Sequence, residues 1–153
     1  MRSERIRSCG IPMALLWALL LALAPAGCGK GAQTAQSSFD EGARHFQDGD
    51  YDAAIAAYRR GLAVEPRSAV GQNLLGMAYR FKFNAVRDSR YKDEEIAAFE
   101  AAVAADSTFA PARINLAATL YYLGRKAEAA AHFRRALELN PDNPERVQLE
   151  EFI

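Results

Sequence analysis

Apolar side chains recur three and four positions apart along residues 35–143, with polar residues between them, and residues 115–141 show the pattern most clearly. Two apolar series lie there at helical spacing. The first consists of Leu116, Leu120 and Leu123, and the second of Ala129, Phe133, Ala136 and Leu137. Gly124 falls between the two series, and Pro141 ends the second because proline has no N–H and clashes in a continuing helix. The pattern predicts two short amphipathic helices joined by a tight turn.

The same pattern occurs twice before residue 110. The aligned residues are Gly49, Ala54, Tyr58, Leu62 and Pro66 in the first copy, and Leu75, Gly76, Tyr79, Phe99 and Ala102 in the second. The copies begin near Ala35, Ala69 and Ala110, so the first is 34 residues long and the second is seven residues longer. A helix pair of about 34 residues with small residues at the helix contacts resembles the tetratricopeptide repeat (TPR). The resemblance implies an all-α, right-handed solenoid of three helix-turn-helix units at 35–68, 69–109 and 110–143.

Seven extra residues lie between Tyr79 and Ile96. One added turn on each helix of the pair would use about 7.2 residues and keep the register. The second unit is therefore either a taller hairpin with its tip near residues 88–90 or a hairpin with a longer loop. The charged residues of this stretch are expected to be solvated; they are Arg87, Asp88, Arg90, Lys92, Asp93, Glu94 and Glu95. Glu95 stands where the family usually has alanine.

Residues 144–153 follow the third unit and carry four apolar side chains: Val147, Leu149, Phe152 and Ile153. A stack of repeats exposes an apolar face at its end and needs a cap. Because Pro144 suits the start of a helix, the segment is expected to form a short capping helix over the third unit.

The first 27 residues have the pattern of an export signal. Three arginines precede the apolar stretch 11–24, and small residues follow it. Ala26-Gly27-Cys28 resembles a bacterial lipobox, although Pro25 stands where that motif usually has leucine. The resemblance implies that Cys28 carries a diacylglycerol and a further acyl group such as palmitate. The alternative is ordinary cleavage after residues 24–26, which would leave a secreted or soluble periplasmic protein. Residues 28–34 are expected to form a flexible tether.

Composition and motifs give no indication of catalysis. The formal net charge is zero, so electrostatics offers no argument for nucleic-acid binding. The two histidines, His45 and His132, stand apart from any nucleophile, and the chain has no Gly-rich phosphate loop and no metal-ligand spacing. We therefore expect no enzymatic activity, no cofactor and no metal, and a function that resides in a binding surface.

The TPR resemblance implies binding of a partner protein in a concave groove lined by the first helix of each unit. The predicted groove residues are Phe39, Phe46, Asn73, Met77, Arg80, Phe81, Ile114, Tyr121 and Tyr122. They would bind an apolar or aromatic segment, with Asn73 and Arg80 as polar contacts. TPR modules that hold a terminal carboxylate use Lys, Asn and Arg at five positions. This chain has Phe39, Ala43, Leu74, Pro111 and Asn115 there, which argues against such a clamp.

Together these features predict an exported, membrane-anchored adaptor or assembly scaffold in the cell envelope, attached by lipid to a membrane that faces the periplasm. One alternative is a pilotin-like assembly factor that docks an apolar segment of a pilus or secretion-channel subunit. Another is a structural homo-oligomer formed through the end of the stack.

Overall fold

The computed structural model describes the backbone of residues 28–153 and the side chains of residues 34–153. This part of the chain contains seven helices and no strand: α1 Cys28–Gln47, α2 Tyr51–Val64, α3 Ala69–Val86, α4 Arg90–Ala105, α5 Ala110–Tyr122, α6 Lys126–Leu139 and α7 Arg146–Glu150. Helices α1 and α2, α3 and α4, and α5 and α6 pack as hairpins, and successive hairpins meet through α2 with α3 and α4 with α5. This architecture confirms the predicted all-α solenoid.

The first and third hairpins turn at a glycine in the left-handed region. Gly49 has φ 77° and Gly124 has φ 79°, a conformation that glycine adopts without steric cost. The next residue donates its N–H back to the preceding helix in both turns, from Asp50 to His45 O and from Arg125 to Leu120 O, each at 2.9 Å. This pattern is the Schellman motif, which satisfies carbonyls at the helix end. In both units the glycine follows the first helix, and the two turns therefore have the same backbone conformation and the same hydrogen bond.

The second hairpin is taller than the third. Helix α3 has 18 residues and α4 has 16, against 13 and 14 for α5 and α6. The tip is short because Arg87 takes the left-handed conformation with φ 58° and its N–H donates to Phe83 O at 2.7 Å. The seven extra residues thus lengthen both helices. Of the two alternatives that the sequence left open, the structure has the taller hairpin and not the longer loop.

Helix α1 begins at Cys28, so it includes residues 28–34, where the sequence predicts a flexible tether. Within this helix the hydroxyls of Ser37 and Ser38 donate to Thr34 O at 3.0 and 3.1 Å. Ala35 is fully buried, and a helix that is fixed by packing there can continue toward its N-terminus at little cost. The predicted signal peptide, residues 1–27, and the side chain of Cys28 lie outside the described residues.

None of the helices in the described part of the chain is both long enough and apolar enough to cross a membrane.

Close packing of the helices depends on glycines opposite aromatic rings. The Phe39 ring lies against Gly61 and Gly71, and the Phe99 ring lies against Gly76. A Cβ added to Gly76 would come within 2.6 Å of Phe99 Cε1. The core is divided into two clusters, one around Phe39, Tyr58 and Tyr79 and the other around Phe99, Leu120 and Phe133.

Residues 144–153 cap the third hairpin, as predicted, but only part of the segment does so. Leu149 is buried, and the Phe152 ring lies 4.8 Å from the Tyr121 ring between centroids. Val147 is 73% exposed and Ile153 is also exposed, so their predicted places in the cap are wrong. Because α7 has only five residues, residues two positions apart point to different sides, and Leu149 alone faces the core.

Candidate functional site

Three aromatic rings form a patch at the end of the first two hairpins. Phe46 lies in the last turn of α1, Tyr51 begins α2, and Phe81 lies on α3. The Phe46 ring is 5.0 Å from Phe81 and 5.7 Å from Tyr51 between centroids, and both contacts are edge-on. Such contacts stabilise aromatic pairs beyond the area they bury. Phe81 remains 41% exposed, so this aromatic patch presents an ordered apolar surface to solvent.

An ion pair holds the helices beside the aromatic patch. Lys82 Nζ donates to Asp52 Oδ2 at 2.6 Å and so joins α3 to α2. The hydrogen bond to Asp52 raises the pKa of Lys82, because the neighbouring carboxylate stabilises the charged ammonium group.

A polar network connects the second hairpin to the third; we call it the Arg80 network. Arg80 donates from Nε to Glu95 Oε1 at 2.8 Å and from Nη1 to Asn115 Oδ1 at 3.0 Å. Its Nη2 donates to the Asn115 backbone carbonyl at 2.8 Å and to the Thr119 hydroxyl oxygen at 3.0 Å. Lys92 Nζ and the Thr119 hydroxyl donate to the two carboxylate oxygens of Glu95, both at 2.5 Å. The network therefore fixes α3, α4 and α5 against one another.

The Arg80 network corrects the prediction that Lys92 and Glu95 belong to a solvated charged tip. Glu95 is 0% exposed and Lys92 is buried. The two lie three residues apart on α4, so both can face α3 and α5, where Arg80 supplies the compensating charge. The sequence offered one signal: an acidic residue at Glu95, where the family usually has alanine.

Asn73 and Arg80 also differ from their predicted role as free polar contacts. Asn115 Nδ2 donates to Asn73 Oδ1 at 2.9 Å, and Asn73 is buried. Arg80 directs its donors to Glu95, Asn115 and Thr119. The polar groups between α3 and α5 therefore hydrogen-bond one another and stabilise the stack.

Two family models match this chain, and both describe the tetratricopeptide repeat. One matches residues 39–108 and the other residues 110–143. The chain belongs to the TPR family. Its curated relatives include the peroxisomal targeting signal receptor of Eremothecium gossypii, 32% identical over 62% of this chain and 16% of that protein. RNA polymerase II-associated protein 3 of Mus musculus is 30% identical over 68% of this chain and 15% of that protein. The chain thus spans about a sixth of the length of these relatives.

Solved TPR structures share the fold. The first TPR of Spaghetti (RPAP3), bound to the HSP90 peptide SRMEEVD, has a TM-score of 0.69 at 26% identity and covers 79% of this chain and 91% of that one. The second TPR domain of human RPAP3, in complex with the HSP70 peptide SGPTIEEVD, has a TM-score of 0.67 at 25% identity, over 82% and 98%. The Yersinia enterocolitica chaperone SycD has a TM-score of 0.67 at 18% identity, over 78% and 89%, which shows the fold alone.

The predicted groove residues of this TPR chain separate into distinct groups. Phe46 and Phe81 meet in the aromatic patch, and Met77 and Ile114 are half-buried against the second core cluster. Phe39 is instead a core residue, 6% exposed, because Gly61 and Gly71 leave room for its ring between two hairpins.

The two predicted tyrosines lie at the far end of α5. Tyr121 is covered by Phe152 of the C-terminal segment. Tyr122 is exposed, and its ring lies 5.3 Å from Lys92 Nζ. The nine predicted residues therefore do not form one continuous surface.

Among residues 34–153, no group of three or more His, Cys, Asp or Glu side chains is placed to hold a metal ion. His132 Nδ1 on α6 is buried and has no hydrogen-bond partner within this part of the chain. Burial lowers the pKa of His132, and the positive charge of Arg113 adds to the effect, while Glu100 and Glu128 oppose it.

We expect the TPR domain to lose stability as the pH falls below about 6.5, the ordinary pKa of histidine. The unfolded chain binds a proton to His132 there, whereas the folded chain resists protonation until its lowered pKa is reached. Thermal melts at pH 7.5 and 5.5 should show a lower midpoint at pH 5.5. His132→Gln should reduce that difference, and His45→Gln, the matched control, should retain it. An equal difference in wild type and His132→Gln would contradict the assignment.

Proposed function

We propose that this TPR domain is a protein-interaction adaptor and that the aromatic patch of Phe46, Tyr51 and Phe81 is its main contact with an apolar or aromatic segment of the partner. The exposed ring of Phe81, held edge-on by Phe46, carries the proposal. Aromatic residues are enriched among those that dominate binding energy, and a ring already ordered in the free protein loses little entropy on binding. The RPAP3 domains that share the fold bind peptides, which supports a protein partner.

The partner is proposed to be recognised by apolar side chains rather than by a terminal carboxylate. The five positions that hold a carboxylate in clamp-type TPR modules carry mainly apolar residues here. Arg80, a cation in contact with Asn115 at one of these positions, donates to Glu95, Asn115 and Thr119 at 2.8–3.0 Å. A peptide carboxylate would have to displace these partners, and breaking a buried ion pair is costly.

Peptide selection tests this proposal. Random peptides displayed on phage are selected on the purified domain, and we expect the selected sequences to be rich in aromatic and large aliphatic residues. Phe81→Ser should weaken their binding by about 30-fold, the size of a binding hot spot. Val147→Ser removes an apolar and more exposed side chain from the opposite end of the domain and serves as the control. It should leave binding unchanged.

Two results would contradict the proposal. The first is enrichment of acidic carboxyl-terminal peptides, or tight binding of the peptide SRMEEVD. The second is a loss of about 3–5 kcal/mol in the free energy of unfolding of Phe81→Ser, the cost of truncating a phenylalanine of the core, since a ring that is 41% exposed should cost less than that. A loss of that size would mean that the patch serves packing rather than binding.

We also propose that the protein is exported and anchored by lipid on Cys28, on the evidence of the apolar stretch 11–24 and the motif Ala26-Gly27-Cys28. A cysteine with a diacylglycerol and a further acyl chain would attach the domain lastingly, because stable anchoring takes more than one chain. Metabolic labelling with a fatty-acid analogue should mark the wild type and fail to mark Cys28→Ser. Cys9→Ser, the matched control within the signal, should be labelled like the wild type. An unlabelled wild type would favour the secreted or soluble periplasmic alternative, and equal labelling of Cys28→Ser would contradict Cys28 as the site of the lipid.

The site of action is proposed to be the cell envelope, with the lipid anchor facing the periplasm. A pilotin-like role would use the same aromatic patch to dock an apolar segment of a pilus or secretion-channel subunit. The homo-oligomer alternative would use the C-terminal end of the stack, where Ile153 is exposed beside Arg134, Pro141 and Arg146. Sedimentation at several concentrations separates the pilotin-like role from the homo-oligomer, because only the homo-oligomer predicts a mass that rises with concentration.

A further inference from the structure

A cleft separate from the aromatic patch lies between α2 and α4, with α3 beneath it. Its volume is about 310 Å³, which is within the range of small-ligand sites. Apolar walls are supplied by Ile55 on α2 and Tyr91 on α4. Arg59, Tyr79 and Glu94 also line it, one from each of the three helices.

The Tyr79 side chain contributes a buried hydroxyl whose O–H has no acceptor. Tyr79 is 2% exposed, and Arg59, which can only donate, lies close enough to the hydroxyl oxygen to lower the pKa of Tyr79, but no acceptor for the O–H lies among residues 34–153. Nearly all buried polar groups in proteins are satisfied, and an orphaned one costs free energy comparable to a lost hydrogen bond. Burial raises the pKa of Tyr79, so the hydroxyl stays protonated and remains a donor at neutral pH. A donor without an acceptor at the wall of a cleft can be satisfied by a ligand that supplies one.

Arg59 and Glu94 are two groups of opposite charge in the cleft beside this hydroxyl. The other two charged residues that line the cleft, Asp52 and Arg90, are already paired with Lys82 and Asp88, each at 2.6 Å. The guanidinium carbon of Arg59 lies 5.6 Å from the centre of the Tyr79 ring.

Neither Arg59 nor Glu94 has an ion-pair partner within the described side chains. Both charges change the pKa of Tyr79: Arg59 lowers it and Glu94 raises it. The cleft therefore offers two hydrogen-bond donors, Tyr79 and Arg59, and one acceptor, Glu94.

We propose that this cleft is a second binding site, beyond the adaptor surface, for a ligand that carries a neutral amide group. The amide oxygen accepts from Tyr79 Oη and Arg59, and the amide N–H donates to Glu94. The apolar body of the ligand packs against Ile55 and Tyr91. A carboxylate would satisfy the donors but would be repelled by Glu94, and an amidinium would satisfy Glu94 but would be repelled by Arg59. Selectivity for the neutral group follows from the presence of both charges.

Three compounds of nearly equal shape test the selectivity: neutral benzamide, anionic benzoate and cationic benzamidinium. Each is titrated into the isotopically labelled protein, and the NMR signals of the Tyr79 ring and the Arg59 side chain are followed. Benzamide should shift both signals in the millimolar range and bind at least fivefold more tightly than either charged compound. Equal or tighter binding of benzoate or benzamidinium, or no shift with any compound, overturns the proposal. N-methylbenzamide carries a secondary amide, as a peptide group does, and so tells the two kinds of amide apart. It should bind less well than benzamide, which carries a primary amide.

Tyr79→Phe removes only the hydroxyl and should weaken benzamide binding by about 2–10-fold, the contribution of one neutral hydrogen bond. Its melting midpoint in the absence of ligand should equal or exceed that of the wild type, because an unsatisfied buried group is lost. Tyr58→Phe is the matched control: Tyr58 is buried against Gly42 of α1 and does not line the cleft, so the loss of its hydroxyl should leave binding unchanged. A lower midpoint in Tyr79→Phe would show that the hydroxyl is already satisfied, and unchanged binding would show that it does not contact the ligand; either overturns the proposal.

Discussion

Replacing Glu95 by alanine is expected to lower the free energy of unfolding by about 3–5 kcal/mol, the cost of removing one partner from a buried ion pair. Glu95 is fully buried and accepts hydrogen bonds from Arg80, Lys92 and Thr119. Without its carboxylate, two positive charges would face each other between α3, α4 and α5 with no compensating group. Urea unfolding of the purified domain, followed by circular dichroism, measures the loss.

Glu94→Ala is the matched control, because Glu94 is the adjacent residue of the same helix and is exposed. Its effect should stay within about 0.5 kcal/mol. The triple replacement Arg80→Met, Lys92→Met and Glu95→Leu should recover part of the loss, since apolar side chains of similar volume often replace a buried ion cluster at little cost. Equal effects of Glu95→Ala and Glu94→Ala would contradict the structural role of the Arg80 network.

Replacing Gly76 by leucine is expected to cost about 3 kcal/mol, the upper end of the usual range for overpacking. A Cβ at this position would lie 2.6, 2.7 and 2.9 Å from three atoms of the Phe99 ring. The ring is fully buried against α5 and α6 residues of the second core cluster and cannot move aside without disturbing them. Thermal melts measure the loss, and Ala97→Leu, on the exposed face of α4, should change the midpoint little.

Gly76→Ala separates steric conflict from helix propensity. Alanine is favoured over glycine in a helix by about 1 kcal/mol, so an open position would gain stability. Here we expect a loss, and we expect Phe99→Leu to reduce that loss when the two substitutions are combined, because a double-mutant cycle reports contact between the two sites. A gain of stability in Gly76→Ala would contradict the close approach of α3 and α4.

The repeat architecture could be predicted from the sequence because it depends on spacing within each unit. Gly49 and Gly124 follow the apolar series of the first helices at equivalent positions, and both form the same turn. The seven-residue excess in the second unit also matched two helical turns, although spacing alone left a longer loop open. The structure has the taller hairpin, because Arg87 adopts a left-handed conformation and closes the tip without a longer loop.

The candidate site was predicted only in part. Phe46 and Phe81 come together, as expected for residues on neighbouring first helices. Phe39 lies seven residues before Phe46, which is two helical turns, and so shares its face of α1, but it lies in the core. Its burial depends on Gly61 and Gly71, which belong to two other helices. Tyr121 is covered by Phe152, 31 positions further along the chain, and no periodicity connects the two.

The sequence by itself determined the helices, their pairing in three units and the turns between them, because hydrophobic period, glycine and proline act over a few residues. Tertiary structure alone decided which charged and aromatic side chains are buried and which remain for a ligand. Arg80 meets Glu95, Asn115 and Thr119 across 15, 35 and 39 positions, and the O–H of Tyr79 is left without an acceptor between Arg59 and Glu94. The free energy of a charge or a hydroxyl depends on the groups within a few ångströms, and only the packing of separate helices places those groups.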